Sequence, residues 1–334
     1  MKLGGGASLR EMGPKSGTPF RNLRRQKGRA AIMKVFMTGG TGFVGTYLSR
    51  ELLKEGHSLT ILTRRAQPPP APEGINYLTG DPTQDGPWMK AVTEHDWIIN
   101  LAGASVFTRW TEAHKKEIFE SRVLTTRNLV TALAAGDRRQ LFCSTSAIGY
   151  YGPRGEEDLT EDSPPDAGFL GDVAENWEAE ALKAQDLGIR VVVTRFGLVL
   201  GREGGALGEM VPMFKKFLGG TLGSGRQWFS WIHQQDHARA FLFIQEHPEI
   251  SGPVNFTAPN PVRNRDLTKA LGRVLHRPTL VAPPEFMLRL VLGEFAETLL
   301  TGQKVFPQRL LEAGFQFNFP TIEAALENLL GEKG

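Results

Sequence analysis

Residues 38–45 read Thr-Gly-Gly-Thr-Gly-Phe-Val-Gly, a run built to receive a phosphate. Gly39 permits a tight turn. Gly42 lets the backbone approach an anion with no Cβ in the way, and Gly45 lets a following helix pack close to a strand. Gly40, Thr41, Phe43 and Val44 complete the loop. An anion on the helix N-terminus is held by free N–H groups and by the helix dipole. The spacing is G-x-x-G-x-x-G and not G-x-G-x-x-G, so the argument leans on context. An apolar run precedes the glycines and a helical period follows them, the setting a dinucleotide pyrophosphate requires.

The second apolar run ends about 20 residues further on, at Thr63-Arg64-Arg65. A dinucleotide with a free ribose 2′-hydroxyl is met at this point by Asp or Glu. An acid repels a 2′-phosphate, whereas a guanidinium pairs with it bidentately and Thr63 adds a hydroxyl donor. The expected cofactor is NADP(H). A second chemical cluster lies in Ser144-Thr-Ser-Ala-Ile-Gly-Tyr-Tyr-Gly152. Here Ser146 can polarise a carbonyl and Tyr150 or Tyr151 can donate a proton; Tyr150 reads equally well as an aromatic wall of a pocket. No lysine follows either tyrosine by four residues, where Arg154 and Gly155 stand. His233 titrates near neutrality, and reads better as a structural histidine tying Asp236 in place.

These groups need elements to hold them. Lys34–Thr38, Ser58–Thr63, Ile75–Leu78, Trp97–Leu101, Gln140–Ser144 and Ile189–Thr194 read as strands. Val44–Lys54 and roughly Thr111–Ala135 read as helices, and Asn176–Asp186 lies in a third. Strand–helix alternation of this kind predicts an α/β fold, a doubly wound parallel sheet covered on both faces. After Gly201 the pattern loosens into a smaller lobe. Trp228, Phe229 and Trp231 beside the turn Gly219–Gly225 form either a lid over a substrate or the core of that lobe.

Several motifs occur in an order that resembles the extended short-chain dehydrogenases. Asn100-Leu101-Ala102-Gly103 resembles their turn after the fourth strand, which lies against adenosine. Residues 144–152 resemble S-S-x-x-x-Y-G, and Arg195-Phe-Gly-Leu-Val-Leu-Gly201 resembles R-x-x-x-V-x-G. Trp231-Ile-His-Gln-Gln-Asp236 resembles an element of nucleotide-sugar epimerases. Tyr150-Tyr151, Glu117 with Ser121-Arg122, Trp177-Glu178, the run Gly220–His233 and the tails Gly302–Pro307 and Gly314–Pro320 narrow the likeness. Across residues 33–330 the chain is similar to the atypical group called epimerase family proteins, whose C-terminal domain has no assigned function. The resemblance implies a Rossmann fold, NADP(H), and cofactor contacts at Thr63, Arg64, Leu101, Ala102, Glu117, Arg122 and Val199. It implies no substrate.

Ordinary members of that superfamily use a Ser/Thr, a Tyr and a Lys four residues after the Tyr. Ser146 matches the first. Alignment on Trp177-Glu178 puts Phe169 and Val173 at the other two positions, and neither can move a proton. Three functions follow in order: an NADP(H)-dependent oxidoreductase reducing a small carbonyl substrate through Ser146 and Tyr150, an NADP(H)-binding sensor or scaffold without turnover, and a nucleotide-sugar epimerase. For the last, Arg202, Lys215 and Arg226 form no clear diphosphate motif.

Composition bounds the rest. The 334 residues suit a Rossmann domain over 33–200, rejoined by later segments, and a substrate lobe over 201–334. Residues 1–32 carry eight cations against one acid, net +7, which leaves −4 on the remainder of a chain of total charge +3. The body is mildly acidic and gives no reason to expect nucleic-acid binding. The head reads as an extension outside the fold, and its composition also fits an organelle transit peptide. No apolar stretch approaches the ~20 residues of a membrane span. A single cysteine, Cys143, permits no internal disulfide and leaves no metal site expected. A cytoplasmic monomer or homodimer acting on a small molecule is the expectation.

Overall fold

The inner strands are short, apolar and buried on both faces, as a parallel sheet covered by helices demands. In the computed structural model β1 is Lys34–Thr38, β2 Ser58–Thr63, β3 Ile75–Thr79, β4 Trp97–Asn100, β5 Leu141–Ala147, β6 Asp158–Leu159 and β7 Arg190–Phe196. β8 (Leu198–Gly201), β9 (Trp228–Phe229), β10 (Trp231–His233), β11 (Gly252–Phe256), β12 (Val262–Arg263) and β13 (Lys304–Val305) follow. Residues 31–68, 70–136 and 140–331 are described; most of the basic head expected to lie outside the fold is not among them. Seven parallel strands form one sheet in the order β11-β7-β5-β4-β1-β2-β3. Three short pairs, β8 with β10, β9 with β12 and β6 with β13, stand outside it.

Period-two alternation sorts the core onto two faces. Val35 and Met37 of β1 point to one face. There they meet Leu48 and Leu52 of α1 (Phe43–Lys54). Phe36 points to the other, where Trp88 of α2 (Trp88–Val92), Leu129 and Leu133 of α3 (Glu112–Ala134) and Ala181 of α4 (Phe169–Leu182) cover it. A separate cluster builds the lobe from Leu207 and Phe214 of α5 (Gly205–Lys215) and from Trp231. α6 (Gln234–Glu246) returns to the first face with Phe241 and Ile244. α7 (Asn264–Leu275) belongs to the lobe, α8 (Glu285–Leu292) and α9 (Phe295–Leu300) follow it, and α10 (Gln308–Glu312) and α11 (Ile322–Leu330) end the chain.

Helix ends obey local chemistry. Thr111 caps α3, its side chain accepting from the His114 amide. The expected helix at 176–186 begins earlier, at Phe169, and gives way after Leu182 to a 3₁₀ turn, Lys183–Leu187. The seventh strand, β11, escapes the sequence pattern because Gly252 and Pro253 open it. It sits at the sheet edge, where a missing N–H is tolerated. It pairs with β7, a later segment joining the sheet, and residues from Ile32 onward form one compact unit.

Candidate functional site

Register brings the strand ends level. Thr38 of β1 lies opposite Leu62 of β2 and Asn100 of β4, and Asn100 lies opposite Ser144 of β5. The chain runs outward from β1 to β3, then restarts at β4 on the other side, so a crevice opens where the order reverses. A cleft of about 760 Å³ occupies it. Its lining comes from Gly39, Thr41 and Gly42, from Thr63, Arg64 and Arg65, from Asp81, Pro82 and Thr83 after β3, and from Leu101–Ala104 after β4. The remaining wall is one face of α3, including Lys116, Glu117, Glu120, Ser121 and Thr125.

The glycine loop is as tight as its composition suggests. A Cβ on Gly39, at φ +68°, would lie 2.5 Å from the Leu101 carbonyl oxygen, and one on Gly45 would lie 2.4 Å from the Gly39 oxygen. A Cβ on Gly40 would meet the Ile61 side chain at 2.7 Å. Gly42 is the N-cap of α1; no side chain caps that helix and no acid stands in its first turn. Its free amides and positive dipole end are therefore open to an anion. The Thr63 hydroxyl accepts from the Arg65 amide at 3.2 Å, which leaves its own hydrogen to donate. On α3 the buried Thr125 Oγ1 has no partner among the described residues. A phosphate-bearing dinucleotide fits this donor set.

Not every expected contact faces the cleft. Phe43 packs beneath Gly201, Gly204 and Gly205, whose added Cβ atoms would strike its ring. Gly40 and Gly45 pack against Ile61 and the Gly39–Gly40 backbone, and Val199 sits in β8 against the main core. Glu117 lines the cleft and pairs with His114 at 3.1 Å. Arg122 lies under Gly103, donates to the carbonyls of Ile118 and Ala104, each at 3.0 Å, and lies over the Trp177 ring. Burial lowers its guanidinium to about 10. It braces the turn after β4 with two of its five N–H donors. The sequence reading passed over Asp81, Thr83, Lys116, Glu120 and Thr125. Two signals pointed to them: position directly after a strand of the sheet, and helical spacing from Glu117.

A second polar group lies at the end of β5. Ser146 lies opposite Arg195 in the register of β5 and β7. Arg195 Nε and Nη2 each reach Glu178 of α4 at 2.8 Å, and Ser146 Oγ reaches Glu178 Oε1 at 2.6 Å. Glu178, paired bidentately, can only accept, so the serine donates. In this arrangement the Ser146 hydrogen points at Glu178. Tyr150 lies with its ring centroid 3.6 Å from the Arg195 guanidinium. Tyr151 is wholly buried, accepts from Arg195 at 2.8 Å and donates to Asn255 at 2.7 Å. Burial pushes Tyr151 up to about 12, and raises Tyr150 too, against the pull of Arg195.

Helical geometry also moves the two unmatched positions. The face of α4 that carries Glu178 toward Ser146 carries Ala174 and Leu170 one and two turns earlier, and Leu170 lies against Gly149. Phe169 faces Trp110 instead, at 5.2 Å. Leu170 and Ala174 are thus the residues toward β5, and they are equally unable to carry a proton. His233 caps α6, accepting from the Gln235 amide, and its Nε2 faces Asn328 at 3.2 Å. Burial lowers it to about 4, so it is neutral. Asp236 is held by the Asn318 and Phe319 amides and by Arg239, not by His233. Trp231 is lobe core, and Trp228 lies under Arg263 and Lys304.

Comparison with known proteins agrees with this architecture. The model of the NAD dependent epimerase/dehydratase family matches residues 35–256, and that of a domain of unknown function, DUF1731, matches 283–329. The epimerase family protein YfhF of Bacillus subtilis is 40% identical over 304 residues, 90% of this chain and 99% of the relative. A chloroplastic SDR39U1 homolog of Arabidopsis thaliana is 38% identical over 89% of this chain and 87% of its own. The crystal structure of human epimerase family protein SDR39U1 (isoform 2) with NADPH superposes with a TM-score of 0.79 at 34% identity, covering 89% of this chain and 99% of that one. The chain belongs to the NAD-dependent epimerase/dehydratase family.

Proposed function

We propose that this protein binds NADP(H) at the strand ends and reduces a small carbonyl compound. The observation that carries the cofactor is the pair Arg64 and Arg65 on the cleft wall at the end of β2, where an NAD enzyme has an acid. A 2′-phosphate placed there meets two guanidinium groups and the Thr63 hydroxyl. The uncapped N-terminus of α1 would hold the pyrophosphate. The human relative crystallised with NADPH supports the same reading.

When bound, the reduced cofactor supplies a hydride. Tyr150, kept protonated by its buried setting, gives its hydrogen to the substrate oxygen, and Ser146 accepts from a ligand hydroxyl and orients it. Leu170 and Ala174 exclude water from the α4 side. A second reading, NADP(H) binding without turnover, is favoured by one observation: among the described residues no free cation takes the lysine position beside the tyrosine. Following NADPH consumption across a panel of aldehydes, ketones and enones separates the two. Substrate-dependent turnover supports the reductase; tight binding with no turnover by any compound supports the sensor.

The proposed setting is the cytoplasm, supported by the single buried thiol of Cys143. An organelle is the alternative if residues 1–32 serve as a transit peptide, and the Arabidopsis relative is named chloroplastic. Among the described residues no helix is long and apolar enough to cross a membrane.

A further inference from the structure

The Glu178–Arg195 pair lies outside the cofactor cleft, yet it touches both candidate chemical groups at the end of β5. Both side chains are buried, 6% and 2% exposed. Arg195 uses its whole fork: Nε and Nη2 on Glu178, Nη1 on the Tyr151 oxygen and on the Glu161 carbonyl at 3.1 Å. Its face lies on the Tyr150 ring. Glu178 holds the Ser146 hydrogen with the same oxygen that receives Arg195 Nε. One ion pair therefore ties together β5, β7, α4 and the 3₁₀ turn Ile148–Tyr151.

A buried ion pair is a poor way to add stability, because a well-packed apolar pair of similar volume does as well. Its place suggests another use. A lone cation beside a tyrosine favours the phenolate and makes the residue a base. Here the cation beside Tyr150 carries a carboxylate 2.8 Å away, so the pair as a whole has no net charge and Glu178 offsets part of the pull of Arg195. We propose that Glu178 and Arg195 are positioning residues forming a charge-neutral clamp, which fixes the Tyr150 ring and keeps its hydroxyl protonated, so that Tyr150 serves as a proton donor and not as a base. The proposal rests on the reading of Tyr150 as the acid, and it gives that reading a direction: reduction over oxidation. The surroundings agree. The charged groups acting on Tyr150 are Arg195 from β7 and Glu178 and Glu175 from α4, with Tyr151 beside it on its own turn. Leu159 of β6 and Val305 of β13 close the apolar side, and the neighbouring Asp158 and Lys304 pair with each other. Burial raises Tyr150, Arg195 pulls it down, and Glu178 pushes it back up.

The test is a spectroscopic titration of the phenolate in the full chain. The chain has four tyrosines, and subtracting the curve of Tyr150→Phe isolates one of them. Tyr150 of the unmodified protein is expected to titrate above the ordinary value of about 10. Titration a unit or more below that value means an uncompensated cation and overturns the clamp. In the second arm, Glu178→Gln leaves Arg195 charged and alone, and Tyr150 should then titrate at least about one unit lower, a tenfold change in proton affinity. A folded Glu178→Gln protein in which Tyr150 titrates where it did before also overturns the proposal. The first arm leaves the clamp untouched, so it decides the matter even where Glu178→Gln does not fold. Neither arm needs turnover. A protein that reduces nothing but shows both shifts loses the reductase reading and keeps the clamp.

Discussion

Ser146 and Arg122 each have a side chain suited to chemistry, and each is already engaged, Ser146 with its hydrogen on Glu178 and Arg122 with two of its five N–H groups on backbone carbonyls. Residue type therefore overstates what such a group can do until its partners are known. Arg64 is the opposite case, since it lines the cleft in the position its spacing demanded. Fluorescence titration should show NADPH binding much more tightly than NADH. Arg64→Ala should weaken NADPH by about 1.5–3 kcal/mol, the range for a hydrogen bond to a charged group, and leave NADH nearly unchanged. Equal affinities in the unmodified protein would remove the basis for NADP(H). Tyr150→Phe should cost at least tenfold in turnover, about 1.4 kcal/mol of transition-state stabilisation, with NADPH affinity unaffected. Turnover that survives this change makes Tyr150 a pocket wall and moves the acid elsewhere. Proximity of a cation, Arg195, does not by itself make the tyrosine a base, because Glu178 neutralises it.

At the level of the element, the strand–loop–helix unit β1–α1 divides its glycines between two tasks. Gly45 is needed for packing, since a Cβ there meets the Gly39 oxygen at 2.4 Å. Gly45→Ala should destabilise the fold by about 1–3 kcal/mol, as overpacking does, measurable by urea unfolding. Gly42 adopts φ −82°, open to any residue, and its added Cβ has 3.3 Å to the nearest atom. Gly42→Ala should therefore cost less than Gly45→Ala, about 0.5–1 kcal/mol as for an N-cap change, while weakening NADPH binding because the methyl group intrudes where the pyrophosphate approaches. Equal losses of stability in both variants would show that Gly42 is structural too. α3 shows the same division: Glu117, Glu120 and Thr125 face the cleft, and Arg122 turns behind the β4 loop.

The whole molecule depends on pH through histidines that the fold keeps neutral. His237 is enclosed by Phe196, Phe241 and Phe256, its Nε2 has no partner among the described residues, and burial lowers it to about 3. Burial lowers His233 to about 4. In the unfolded chain both titrate near 6.5. Between those values the unfolded state binds protons that the native state does not. The stabilisation is thus complete above about pH 6.5 and is lost as pH falls toward 4, at up to about 1.4 kcal/mol per pH unit for each histidine. The thermal midpoint should drop between pH 7 and pH 5, and His237→Phe should flatten that drop. An unchanged slope in the variant places the acid lability in other groups.

Local pattern determined much of this protein. Apolar periodicity placed six of the seven sheet strands within a few residues, glycine spacing placed the phosphate turn, and Thr63-Arg64-Arg65 placed the cofactor choice, because each depends on neighbours along the chain. β11 was hidden because its opening Gly252-Pro253 suits only an edge, and edges are defined by the assembled sheet. Asp81 and Thr83 became cleft residues only when β3 took its place beside β2. The partners of Ser146 were equally invisible: Glu178 lies 32 positions away and Arg195 lies on another strand, so no spacing rule connects them. Register between β5 and β7, and the face of α4 turned toward them, decided that the serine donates to Glu178 and that the tyrosine rests on a cation paired with a carboxylate. Hydrogen-bond direction and charge compensation are properties of the partners a side chain meets in space, and only the folded chain chooses those partners.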